Sequence, residues 1–318
     1  MTDYPLNPVP YRRIHPGYQF LLLIGLLIFS LIVGTIGGMI IISVKYGFAT
    51  FNYIVQENLT APNVSTAIWI LQFLGTTLPI LVTPLIFAYF IVEQPDEYLK
   101  NSFDFPWLLI VLVFATMLLC NPLIEFLGNL NAKMVLPKFL HGVQEWMRKS
   151  EDDTKKLSDL MLQMNTFWNM IFDLLFIGLL TAIVEEFLFR GAMQTIFIRW
   201  FNNKHVAVWT TAILFSAFHM EFFGFLPRVL LGVLFGYFAV YSGSIWPAVW
   251  GHFVNNGTAV VVTYLFQHKL INVSPDDEHS FTSIGYVISA VITVFLLVVY
   301  RNIAVKRQIA QTHGEELD

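Results

Sequence analysis

From Phe20 to Val44 the chain runs without a charge, and it does so again from Ser65 to Val92. About 20 apolar residues suffice to cross the hydrocarbon core of a bilayer, and both runs exceed that. Inside that core a helix satisfies every backbone N–H and C=O within its own segment. Runs of this kind restrict the fold to an all-α, polytopic transmembrane helix bundle. Composition agrees: of 318 residues, 56% are hydrophobic and only 13% charged, where soluble domains carry about 25% charged residues. The first run is longer than the roughly 7–15 residues of a signal-peptide apolar region, so it is expected to stay as a membrane helix. A net charge of −4 supplies no basic field for nucleic acid. Cys120 is the one cysteine, so neither an internal disulfide nor a cysteine metal site is available.

Taken in order, the pattern predicts about eight membrane segments. They lie near 20–44, 65–92, 105–124, 165–200, 205–220, 229–242, 246–266 and 283–300. Pro79 and Pro84 are expected to kink the second, and Pro122 and Glu125 to end the third. The fourth exceeds what a bilayer needs and is expected to tilt, to kink near Gly191 or to protrude. Between the third and fourth, residues 129–164 carry six Lys/Arg and five Asp/Glu. They read as an amphipathic segment on the membrane surface. The chain divides into 1–164 (helices 1–3 and the amphipathic segment), 165–270 (helices 4–7, the core) and 271–318 (the last helix and a charged tail). Lys/Arg in the short loops favours cytoplasmic termini in a cell membrane. No internal repeat is evident, which argues mildly against a transporter of inverted halves.

Within the fourth segment the sequence TAIVEEFLFRG places Glu185, Glu186 and Arg190 at membrane depth. Each ionisable group there costs about 2.5–3.5 kcal/mol or more, so it is kept where it pairs, lines a wet cavity or does chemistry. Glu186 and Arg190 are i and i+4 and share a helix face. Glu185 points about 100° away. His219 follows Asn202 by the same number of positions as Glu185 precedes it. On antiparallel helices joined at 201–204 the two therefore share a depth. His252 and Asn256 are again i and i+4 on one face. A carboxylate beside a neutral imidazole can orient water and take its proton. A second histidine and an amide can donate to the oxyanion of a tetrahedral intermediate. Alternatively, Glu185, His219 and His252 could ligate a divalent metal such as zinc. Taken singly, each group also has a structural reading: a pair for Arg190, interhelical bonding for Asn256.

Three motifs in order, Glu185-Glu186-x-x-x-Arg190, Phe215-x-x-x-His219 and His252-x-x-x-Asn256, resemble the CAAX-protease and bacteriocin-processing family of intramembrane proteases. This is the family of the type II CAAX prenyl endopeptidase. The flanking LGVLFGY at 231–237 and GSIWPAVWGHFVNN at 243–256 are similar too. The resemblance covers about residues 170–265. It implies that Glu185 is the general base and that His219 helps hold the water. It further implies that His252 and Asn256 form the oxyanion site, with Glu186 and Arg190 in support. A peptide or protein substrate follows from it, prenylated or not. The rival class is a non-enzymatic membrane protein, a proton-relaying transporter or a scaffold, built on the same polar groups.

Overall fold

The structure, a computed structural model, describes residues 14–92, 94–272, 274 and 281–313, all in helices and their connections. The N-terminal tail with Arg12 and Arg13, most of the loop before the last helix, and the final residues 314–318 lie outside the described residues. The long elements are α1 (Pro16–Tyr46), α2 (Phe48–Val55), α3 (Val64–Ile91), α4 (Leu108–Leu119), α5 (Asn121–Ala132), α6 (His141–Met161), α7 (Phe167–Phe201), α8 (Lys204–Phe218), α9 (Phe225–Ser242), α10 (Trp246–Gln267) and α11 (Ser283–His313). Five of them (α1, α3, α7, α9 and α11) are long and apolar enough to cross a membrane, or six if α4 and α5 form one span. The sequence reading of eight also counted α8 and α10. α8 has only 15 residues, short of the roughly 20 a bilayer needs.

Apolar side chains cover the outside. On α11, Ile284, Val287, Val291, Val294 and Val298 form an exposed stripe, and Ile28, Phe29 and Val33 do the same on α1. Patches of that kind suit lipid rather than water. This is a multi-pass membrane protein.

One expectation about helix breaks comes out differently. Pro122 does not end a helix. It sits in the first turn of α5, where its missing N–H removes no hydrogen bond, and the helix turns by 44° at Cys120. Gly191 lies inside the second of two π-type segments of α7, Leu174–Leu180 and Phe187–Met193, which bracket the Glu185–Glu186 pair. A third, Phe73–Thr77, lies just before Pro79 in α3. Such wide turns rotate the helix face without breaking it, and they are frequent at functional sites.

Local chemistry fixes the α7–α8 hairpin that carries the site. Thr166 and Asn169 form a reciprocal capping box at the start of α7. Asn202 ends α7 in the left-handed conformation at φ +49°. Asn203 then caps α8 through the N–H groups of His205 and Val206. Two apolar clusters flank the hairpin. One joins α1, α3 and α7 through Leu23, Leu27, Phe87 and Leu188. The other joins α4, α9, α10 and α11 through Val113, Phe235, Ala248 and Tyr300.

α9 approaches both arms of the hairpin closely at its glycines. A Cβ on Gly232 would lie 2.9 Å from Cα and Cβ of Ala212, and one on Gly236 would lie 2.8 Å from Oε1 of Gln194. Gly232→Val is therefore expected to destabilise the protein by about 1–3 kcal/mol through overpacking. Thermal unfolding in detergent checks this, and a wild-type melting temperature would show that α8 and α9 can separate freely.

Candidate active site

Glu186 and Arg190 are fully buried, one turn apart. Arg190 Nη1 donates to Glu186 Oε1 at 2.7 Å, and Nη2 donates to the carbonyl of Gly232 at 3.0 Å. The guanidinium also lies 4.6 Å from the ring centre of Phe215 and 5.4 Å from that of Phe235. Charge, hydrogen bonds and aromatic faces together compensate a cation held away from water.

Glu186 Oε1 accepts a second bond, from Nδ1 of His252 at 2.9 Å. A carboxylate only accepts, so His252 carries its proton on Nδ1 and turns Nε2 outward. Its ring stacks on Phe235 at 4.9 Å and meets Phe215 edge-on at 5.8 Å. His219 is held in the same sense. Its Nδ1 lies 2.8 Å from the carbonyl oxygen of Phe215, which must accept, so Nε2 is again the free nitrogen.

Both free nitrogens face one atom. Glu185 Oε2 lies 3.8 Å from His219 Nε2 and 3.9 Å from His252 Nε2. Neither distance is a hydrogen bond. Glu185 Oε2 is buried and has no partner among the described residues. Three acceptors thus converge without a donor. A water within hydrogen-bond reach of the carboxylate oxygen and one nitrogen would supply that donor. The donor set of two imidazole nitrogens and a carboxylate also suits zinc chemically. Yet no group of three or more His, Cys, Asp or Glu among the described residues is arranged to hold an ion.

Asn256 makes different contacts. Its Nδ2 donates to the carbonyl of Ile177 at 3.3 Å, inside the first π segment of α7, and its Oδ1 accepts from Asn255 at 3.1 Å. One amide hydrogen is left for a ligand. Asp173 is buried near the start of α7, with Oδ2 unpartnered among the described residues, and is not in the cluster. Sequence reasoning missed the Gly232 carbonyl and the two aromatic walls. Their signal was present: Phe215 and LGVLFGY stand beside the polar residues in the motifs.

Glu185, Glu186, Arg190, His219 and His252 therefore share one locus between α7, α8, α9 and α10, with Asn256 one turn along α10. This locus holds a buried carboxylate faced by two oriented imidazoles. No solved structure matches the chain. The uncharacterized protein YpbD of Bacillus subtilis (strain 168) is 28% identical over 85 residues, which is 26% of this chain and 40% of that protein. The match thus spans about two fifths of that relative's length. Residues 167–258 match the family model described as type II CAAX prenyl endopeptidase Rce1-like. All six polar positions fall within that match, and over it the chain is similar to the Rce1-like family, consistent with an intramembrane protease of the CAAX-protease and bacteriocin-processing family.

Proposed function

We propose that the protein is a membrane-embedded endopeptidase, with 165–270 as its catalytic core, that hydrolyses a peptide bond near the bilayer surface. The observation that carries this reading is Oε2 of Glu185, without a hydrogen-bond partner among the described residues and faced by two imidazole nitrogens whose protons are fixed elsewhere. In the reaction, water sits between Glu185 and His219. Glu185 takes one proton as the oxygen attacks the scissile carbonyl, and His219 Nε2 accepts the other water hydrogen. The oxyanion is met by the free amide hydrogen of Asn256 and by His252, whose Nε2 donates after taking a second proton from bulk solvent before the attack and keeping it through the cycle. Glu186 stabilises this imidazolium through Nδ1, and Arg190 holds Glu186. Glu185 then returns its proton to the leaving amine. If zinc is bound, Glu185, His219 and His252 hold it, and it supplies Lewis-acid polarisation of the water.

The substrate is a peptide or a protein tail, and the termini lie in the cytoplasm of a cell membrane. Membrane fractions of wild type and Glu185→Ala, compared by mass spectrometry, test this. The variant is expected to accumulate longer peptides that the wild type trims. Identical peptide profiles, or solute flux coupled to an ion gradient, would favour the scaffold or transporter class.

His252→Ala and Asn256→Ala each remove one oxyanion donor. Each is expected to slow the chemical step by roughly 10²–10³ and to leave residual activity. Single-turnover rates on purified protein check this, with and without a chelator. Loss of wild-type activity on chelation, restored by added zinc, would move the reading to a metal-assisted reaction.

A further inference from the structure

His219 is the residue at which the chain leaves α8, and Met220 after it has φ +55°. A methionine in the left-handed region is strained and persists only where its surroundings hold it. Within the matched segment 167–258 the turn is held by Ser216, whose Oγ donates to the carbonyl of Phe225 at 2.8 Å, and by Arg228, which donates to the carbonyl and the carboxylate of Glu221; further holds come from outside that segment. Asn131 of α5 bridges two points of the α8–α9 connection. Its Nδ2 donates to the carbonyl of Phe222 at 3.0 Å, and its Oδ1 accepts from the N–H of Leu226 at 2.7 Å. Glu151 of α6 accepts from the N–H of Phe223 at 3.1 Å. Around them Trp146 packs on Phe222 at 5.2 Å between ring centres, and Arg148 lies 4.2 Å over the ring of Phe223. The far part of α6 is tied down as well, by Lys156 with Glu57 at 3.5 Å. Asn131 is only 3% exposed. A buried amide that satisfies a carbonyl at one end of an arc and an N–H at the other fixes the backbone between them.

We propose that Asn131 and Glu151 are positioning residues of the site. By clamping 222–226 they hold the turn at Met220, and through it the Nε2 of His219 opposite Oε2 of Glu185. The amphipathic helix α6 is then a strap across the site's edge. The proposal rests on the reading of His219 as the residue that holds the attacking water.

The test uses the full chain in lipid nanodiscs. Hydrogen–deuterium exchange is followed over 219–228. Carbethoxylation of His219 by diethyl pyrocarbonate, which attacks the free Nε2, is followed by mass spectrometry. Wild type is compared with Asn131→Ala, Glu151→Ala and Glu151→Gln. The amide of Gln still accepts from Phe223 N–H, so a clamp that needs an acceptor rather than a charge survives this change. Both alanine variants are expected to exchange about tenfold faster across 222–226 and to carbethoxylate His219 faster, with α7 and α10 unchanged. Glu151→Gln is expected to match wild type in both. Because Glu151 is only half-buried, Glu151→Ala carries the test if Asn131→Ala fails to accumulate. Unchanged exchange in the alanine variants, a Glu151→Gln as loose as Glu151→Ala, or faster exchange with unaltered His219 reactivity overturns the proposal. Failure of the peptidase reading shows elsewhere, as cleavage that survives Glu185→Gln, and leaves the exchange result intact.

Discussion

Arg190→Ala is expected to lower folded yield and activity together, with a loss of about 3–5 kcal/mol of stability, the usual cost of stripping one member from a buried ion pair. The side chain is fully buried, and it holds Glu186 at 2.7 Å and the Gly232 carbonyl at 3.0 Å. Removing it leaves Glu186 with the Nδ1–H of His252 as its remaining hydrogen bond among the described residues. It also leaves a space against Phe215 and Phe235. Arg190→Lys keeps the charge but has no planar fork to reach two acceptors at once, so it is expected to fall between. Yield from the membrane fraction and thermal unfolding in detergent read this directly. A variant that accumulates and melts like wild type while losing activity would make Arg190 a direct participant in the reaction rather than a support.

Glu185→Gln is expected to have the largest effect on chemistry. Glutamine is nearly isosteric and still bonds water, but it takes no proton. Loss of a general base costs about 10²–10⁴ in rate. The fold is expected to be spared, because Oε2 of Glu185 has no hydrogen-bond partner among the described residues to lose. Abundance, melting temperature and peptide binding should stay close to wild type while turnover disappears. Full turnover in Glu185→Gln removes Glu185 from the role of base.

Much of this geometry is legible in the sequence because helices convert residue counts into distance. Glu185 and His219, equally far along the chain from Asn202, end 3.8 Å apart. The i, i+4 spacing of Glu186 and Arg190 becomes an ion pair. The uncharged runs become α1 and α3, each close to its expected bounds. What stays hidden depends on partners far away in the chain. The π segments around Glu185 arise in an apolar run whose composition gives no cue to where a turn widens. Asn131 and Glu151 lie in the stretch that reads as an amphipathic segment on the membrane surface, with no cue to a partner elsewhere in the chain. Their bonds to Phe222, Phe223 and Leu226 span 72 to 95 positions. The bend at Cys120 stays hidden because Pro122 serves equally to stop one helix and to begin another. Asn256 follows the spacing rule on α10, yet its hydrogen bonds go to Ile177 and Asn255, set by the rotation of α7 that the π segment imposes.

The central claim is that Glu185 delivers water to a peptide bond. It is tested most directly by incubating purified protein in nanodiscs with a defined peptide library in water enriched in oxygen-18. Products are then read by mass spectrometry for wild type and for Glu185→Gln. Hydrolysis breaks the C–N bond and places one oxygen from solvent in each new carboxyl terminus. The account predicts products with a single oxygen-18 from wild type and none above background from Glu185→Gln. Equal amounts of labelled product from both proteins would contradict it.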